Sequence, residues 1–214
     1  MNNAMFYSWM SQASYLYFNN SQSSLKEDDS TLVSFLKDEN WTPAKPSDKH
    51  PRADKLFSKT QAEIFTENYT FISHQPNTLT GMSSTVFQSK EDGSFTFAMR
   101  GTEPSAQGGI DAAIEDLTGV VLAGKAKAQL ADAFHYYKRL TTPQGETVEY
   151  TNQEHQMMAK LLLDHSSSVG KFSTIEAAGT YIQNVLSNDI GLGEIEAGAT
   201  INFAGHSLGG HLLH

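Results

Sequence analysis

Ile201-Asn202-Phe203-Ala204-Gly205-His206-Ser207-Leu208-Gly209-Gly210 is an apolar β-type run that breaks into Gly-x-Ser-x-Gly and then opens a helix-like Leu212-Leu213 stretch. A serine hydroxyl is a poor nucleophile at neutral pH. To react it must project from a tight strand-to-helix turn where a base can reach it, and only small flanking residues permit so sharp a bend. Gly205 and Gly209 supply that smallness. A helix starting after Ser207 also aims backbone N–H groups at the point where an oxyanion would form, so nucleophile and stabiliser come from one turn. Ile201 and Phe203 alternating with Asn202 give the run its strand character.

In an α/β-hydrolase the acid and the histidine follow the nucleophile in chain order. Only Leu208 to His214 follow Ser207, and they contain no Asp or Glu. His211 and His214 would point along the shaft of the helix leaving the turn, so neither is a good base. The expectation is an N-terminal part of a longer catalytic domain, cut in the helix after the nucleophile. His206, before the serine, is read as a structural hydrogen-bonding group beneath the turn. The spacing of His206, His211 and His214 does not place all three on one helical face, which argues against a zinc site.

Composition bounds the rest. The 214 residues are 39% hydrophobic and 10% aromatic, enough for one buried core. A formal charge of −9 argues against nucleic acid, whose phosphates demand a basic face, and against electrostatic docking to anionic membranes. With no cysteine there is neither a disulfide framework nor a thiolate metal site. No Lys or Arg precedes Lys26, and Met1 to Asn20 is interrupted by Ser8, Ser11, Gln12 and Ser14, so no secretory leader of the usual kind is expected. No stretch approaches a transmembrane span. The expected location is outside the cell, by leaderless export, or the cytoplasm.

Along the chain, Phe6, Trp9, Met10, Ala13, Leu16 and Tyr17 recur at helical spacing. Ser21 to Ser30 reads as a polar turn, Leu32 to Leu36 as a short helix, and Pro43, Pro46 and Pro51 punctuate a connector. Lys55 to Glu67 reads as helical. Thr85 to Phe87 and Ser94 to Met99 flank Glu91-Asp92-Gly93, whose Asp-Gly predicts a hairpin of two antiparallel strands at a sheet edge. Ala126, Leu130, Ala133, Phe134 and Tyr137 form a helical core stripe. Apolar runs at Met157 to Leu163 and Phe172 to Leu186 predict two more helices. Asn188-Asp189-Ile190-Gly191-Leu192-Gly193 lacks the Lys of a phosphate loop and reads as a turn leading to the serine's strand.

The second hairpin strand runs into Arg100-Gly101-Thr102-Glu103. Phe97-Ala98-Met99-Arg100-Gly101-Thr102, preceded by Gly81-Met82 to Val86-Phe87 and followed by Gly205-His206-Ser207-Leu208-Gly209-Gly210, resembles the class 3 lipases of the α/β-hydrolase fold. Asp116-Leu117, then Gln129, Asp132, Tyr136, Tyr137 and Arg139-Leu140, are similar to bacterial extracellular lipases and phospholipases of that group. The likeness spans Gly81 to His214. It implies a central, mostly parallel sheet flanked by helices, with residues 1–214 as one domain: a helical, irregular region 1–80 and a core 81–214 holding the oxyanion loop and the nucleophile turn.

The resemblance makes Ser207 the nucleophile, gives one oxyanion N–H to Leu208 and the other to Thr102, and gives supporting roles to Arg100, Gly101 and Asp116, the last fixing the oxyanion loop. Gly205, His206, Gly209 and Gly210 shape the turn. Each oxyanion donor removed singly costs roughly 3 kcal/mol of transition-state stabilisation. The implied activity is hydrolysis of lipid carboxylic esters through an acyl-enzyme, with a lipid or lipid–water interface as the partner. Alternatives are a non-catalytic interaction module and an acyltransferase using the same serine. No cofactor is implied within the chain; calcium would enter only with a region farther downstream carrying Gly- and Asp-rich nonapeptide repeats.

Overall fold

A computed structural model describes residues 3–16, 18, 22–38, 55–78, 81–100, 119–163, 172 and 174–205. Among these the chain is α/β, with seven α-helices and one four-stranded sheet. It forms two compact units. The first comprises Met1–Pro76, Ser83–Gly101 and Ala199–His214, the second Asn77–Met82 and Thr102–Gly198.

The first unit holds helices α1 (Asn3–Ala13), α2 (Gln22–Glu27), α3 (Asp29–Lys37) and α4 (Lys59–Asn68), and strands β1 (Tyr69–Gln75), β2 (Ser84–Ser89), β3 (Phe95–Met99) and β4 (Ile201–Gly205). Asp28 caps α3, its carboxylate accepting from the Ser30 hydroxyl and from the Ser30 and Thr31 amides, which holds its pKa down to about 2. A reciprocal capping box starts α4: Ser58 Oγ accepts from the Gln61 amide and Gln61 Oε1 from the Ser58 amide. The polar Ser21–Ser30 stretch, expected as a turn, contains α2, because Leu25 is buried in the core.

Strand order is β1-β2-β3-β4, with β1/β2 and β2/β3 antiparallel and only β3/β4 parallel. The sheet is therefore mixed and mostly antiparallel, which corrects the expected mostly parallel arrangement. Connection length is the cause. Short links join β1 to β2 and β2 to β3 and fold each strand back on its predecessor, whereas a parallel neighbour needs a long crossover, and the chain from β3 to β4 provides one. The Asp-Gly turn forms as expected, with Gly93 at φ +71° and the Ser89 amide donating to Ser94 O at 2.8 Å. Its two strands are interior, between β1 and β4, and not an edge pair. A bulge between Phe71 and Ser73 interrupts the β1/β2 register.

One face of this sheet carries the core of the first unit. Phe71, Phe87, Ala98 and Ala204 pack with Met10, Ala13, Leu16, Phe18, Leu32, Leu36 and Phe65. Phe18 stacks on Phe71 at 5.0 Å between ring centroids, and Phe65 meets Phe87 edge-on at 5.1 Å. In α1 the expected apolar residues Phe6, Met10 and Ala13 are buried and Trp9 is partly so, while Tyr17 lies outside the described residues.

The second unit is built from α5 (Gly119–Thr141), α6 (Asn152–Leu163), α7 (Ile175–Asn184) and a 3-10 turn at Leu186–Asn188. Its core joins Ala131 to Met158, Ala159, Leu162, Ala178, Ile182 and Leu186. The expected α5 stripe forms only in part. Ala133 is buried and Phe134 packs against this core as expected, but Leu130 is 41% exposed, and Ala128, Ala131, Tyr136 and Leu140 are buried as well. Periodicity sets the spacing of an apolar face but not which small residues let a neighbouring helix approach.

The end of α5 is closed by another segment. Amides of Leu192, Gly193 and Glu194 donate to the carbonyls of Arg139, Thr142 and Leu140 at 2.7, 2.9 and 2.9 Å, satisfying acceptors a helix terminus leaves open. Gly191 permits this approach: a Cβ there would lie 2.4 Å from the Pro143 carbonyl oxygen.

Candidate functional site

The two motifs leave neighbouring strands. β3 and β4 run parallel with Phe97 opposite Phe203, Ala98 opposite Ala204, and Met99 opposite Gly205. Arg100 directly follows β3, and Gly205 is both the last residue of β4 and the first of Gly-His-Ser-Leu-Gly. Both strands thus end at the same sheet edge, the edge at which parallel sheets present ligand-binding loops.

Small side chains make this part of the sheet. Ala98 and Ala204 are buried on the face that receives α1, which packs across β3 and β4. Phe203 is 51% exposed, with its ring 5.7 Å from Phe97. The alternation in Ile201-Asn202-Phe203 is a strand signal, but the residue it buries is Ala204.

Arg100 is buried, and its amide donates to Ser83 O at 3.0 Å. Near it on β1 is His74, also buried, with Nδ1 2.9 Å from Thr85 Oγ1. Burial, and secondarily the Arg100 charge, lowers the His74 pKa to about 4, so the ring is neutral at physiological pH. Ser84, opposite Met99 on β2, has a buried hydroxyl with no hydrogen-bond partner among the described residues. His74, Thr85 and Ser84 border this edge through sheet register. No motif in the sequence marks them, since cross-strand neighbours carry no fixed spacing.

Of the expected site residues, Arg100 and Gly205 are the two the structure describes. Gly101, Thr102, Asp116, His206, Ser207, Leu208, Gly209 and Gly210 lie outside the described residues, as do His211 and His214. Among the described residues no group of three or more His, Asp or Glu side chains could hold a metal ion, and no helix is long and apolar enough to cross a membrane.

A second polar cluster, also without a sequence signature, sits in the second unit. His135 on α5 bonds Asp189 at 2.8 Å and the Tyr150 hydroxyl, and Lys138 bonds Glu154 at 3.2 Å. No protein-family model, no curated protein and no solved structure matches the chain.

Proposed function

We propose that the chain carries the nucleophile and oxyanion segments of a serine-dependent lipid carboxylic ester hydrolase, a triacylglycerol lipase or phospholipase of the class 3, α/β-hydrolase type. The observation supporting this reading is the parallel pairing of β3 with β4, Met99 opposite Gly205. The sequences Arg100-Gly101-Thr102 and Gly205-His206-Ser207 continue from adjacent strand ends at one edge. An acyl-transfer site needs a nucleophile and a second-strand amide within reach of a single carbonyl, and adjacent parallel strands are the shortest way to deliver both.

On this reading the Ser207 oxygen attacks the ester carbonyl carbon and its proton passes to a histidine base. The tetrahedral oxyanion is held by the amides of Thr102 and Leu208. Collapse expels the alcohol, and water then releases the acyl group from Ser207. Arg100, a buried permanent cation at the end of β3, adds positive potential where negative charge develops. The partner is a lipid surface met through apolar contact, consistent with a chain of net charge −9.

Mixing the protein with an excess of p-nitrophenyl butyrate tests the reading. A burst of nitrophenolate stoichiometric with protein, absent from Ser207→Ala, is the expected result. Equal release from the two proteins would remove the serine mechanism, and no burst from either would favour a non-catalytic module. Adding an alcohol distinguishes transfer from hydrolysis: a hydrolase continues to release mainly free butyrate.

A further inference from the structure

Ser83 immediately precedes β2, at the sheet edge where β3 and β4 end, and it is buried. In an antiparallel ladder the N–H and C=O of one residue face the same neighbouring strand, and successive residues face opposite neighbours. Ser83 O accepts from the Arg100 amide at 3.0 Å, so the main chain of Ser83 faces β3. Only its side chain is then left to reach β1, and it does so: Ser83 Oγ donates to Gln75 O at 3.0 Å. One residue thus ties the ends of three strands, β1 through its hydroxyl and β3 through its carbonyl.

The bond to Arg100 lies one residue beyond the last listed pair of β2 with β3, Ser84 opposite Met99. In sequence it is followed by Gly101 and Thr102. Gly101 has no Cβ and gives the chain little direction of its own, so the course toward Thr102 depends on where Arg100 is held. The ladder behind this point has its own supports. Ala98 stands opposite Thr85, and Thr85 Oγ1 lies 2.9 Å from His74 Nδ1, which joins β1 to β2 without Ser83.

We propose that Ser83 is a positioning residue for the oxyanion loop: tied to β1 by its hydroxyl, it holds the Arg100 amide and so fixes the point at which the chain leaves β3 for Thr102. The proposal rests on the ester-hydrolase reading, in which the Thr102 amide faces the oxyanion. Ser83 acts through Arg100 alone. Removing its hydroxyl takes a donor from Gln75 O and frees the Ser83 carbonyl to shift, while the pairs from Ala98 inward stay closed. The consequence is a misplaced oxyanion donor on an otherwise intact sheet.

The test compares the 214-residue chain with Ser83→Ala and with Ser83→Thr, which keeps the hydroxyl. Two quantities are read: the burst rate with p-nitrophenyl butyrate as a function of its concentration, and hydrogen exchange of the Arg100 and Ala98 amides. In Ser83→Ala the burst rate at saturation is expected to fall about tenfold to a hundredfold, as for a reacting group displaced by a fraction of an ångström to an ångström, with the half-saturating concentration unchanged. Exchange at Arg100 rises several-fold while Ala98 does not respond, and Ser83→Thr recovers both. A Ser83→Ala burst equal to that of the unsubstituted chain, or unaltered Arg100 exchange, overturns the positioning role. No burst from the unsubstituted chain removes the ester-hydrolase reading, and the role in catalysis with it, whatever Arg100 exchange shows. Should Ser83→Ala not fold, the unsubstituted chain still decides: an Arg100 amide that exchanges as freely as an unbonded one overturns the proposal.

Discussion

His74 shows how a single position can be constrained by neighbours far along the chain. Its ring is packed 5.4 Å from Phe18, bonded to Thr85 and close to a permanent cation, so only the neutral form fits. The ordinary histidine value is 6.5 and the folded value is about 4, so His74 stabilises the fold at neutral pH and that contribution drains away as pH falls from 6.5 toward 4. The His74 ring resonances should accordingly stay constant between pH 8 and about 5.5, whereas a midpoint near 6.5 would contradict the buried placement. Gly191 is constrained by space. Replacing it with alanine drives a methyl group toward the Pro143 carbonyl, and the expected cost is about 1–3 kcal/mol, read as a lowered urea midpoint with unchanged slope. An unaltered midpoint would mean that the closing segment does not lie against α5. Neither constraint has a local signature, because each arises from a neighbour brought in by the fold.

Secondary structure was legible in the sequence where local chemistry and tertiary burial agree. The Asp-Gly hairpin and the start of β4 are such cases. β1 is not, because Tyr69 follows the last residue of α4 with no breaking residue between, and the bulge between Phe71 and Ser73 destroys the alternation that marks a strand. α2 was hidden for the opposite reason: its residues are polar, and one buried leucine holds it. The mostly parallel sheet was an expectation of family likeness, and the short links between the first three strands decide against it. Phe87, on an interior strand, is fully buried among Phe65, Phe71 and Phe18. Phe87→Ala should cost about 3–5 kcal/mol in chemical denaturation, and a loss below 1 kcal/mol would show that this aromatic cluster is not the core of the first unit.

For the chain taken entire, the informative fact is that β3 and β4, separated by three helices among the described residues, are sheet neighbours in parallel register. The two motifs and their order were readable in the sequence. That the strands before them are adjacent was not, since nothing in a sequence states which strands pair across so long a crossover. Sheet register now joins the ends of those strands and adds Ser84, Thr85 and His74 to their border. The reading that follows makes one hydroxyl, Ser207, chemically unlike every other serine in the chain. A fluorophosphonate, which reacts with activated serines, followed by intact-mass and peptide analysis measures that difference. One adduct per chain, on the peptide holding Gly205-His206-Ser207 and lost in Ser207→Ala, is the predicted result; no adduct, or an adduct on another serine, would contradict it.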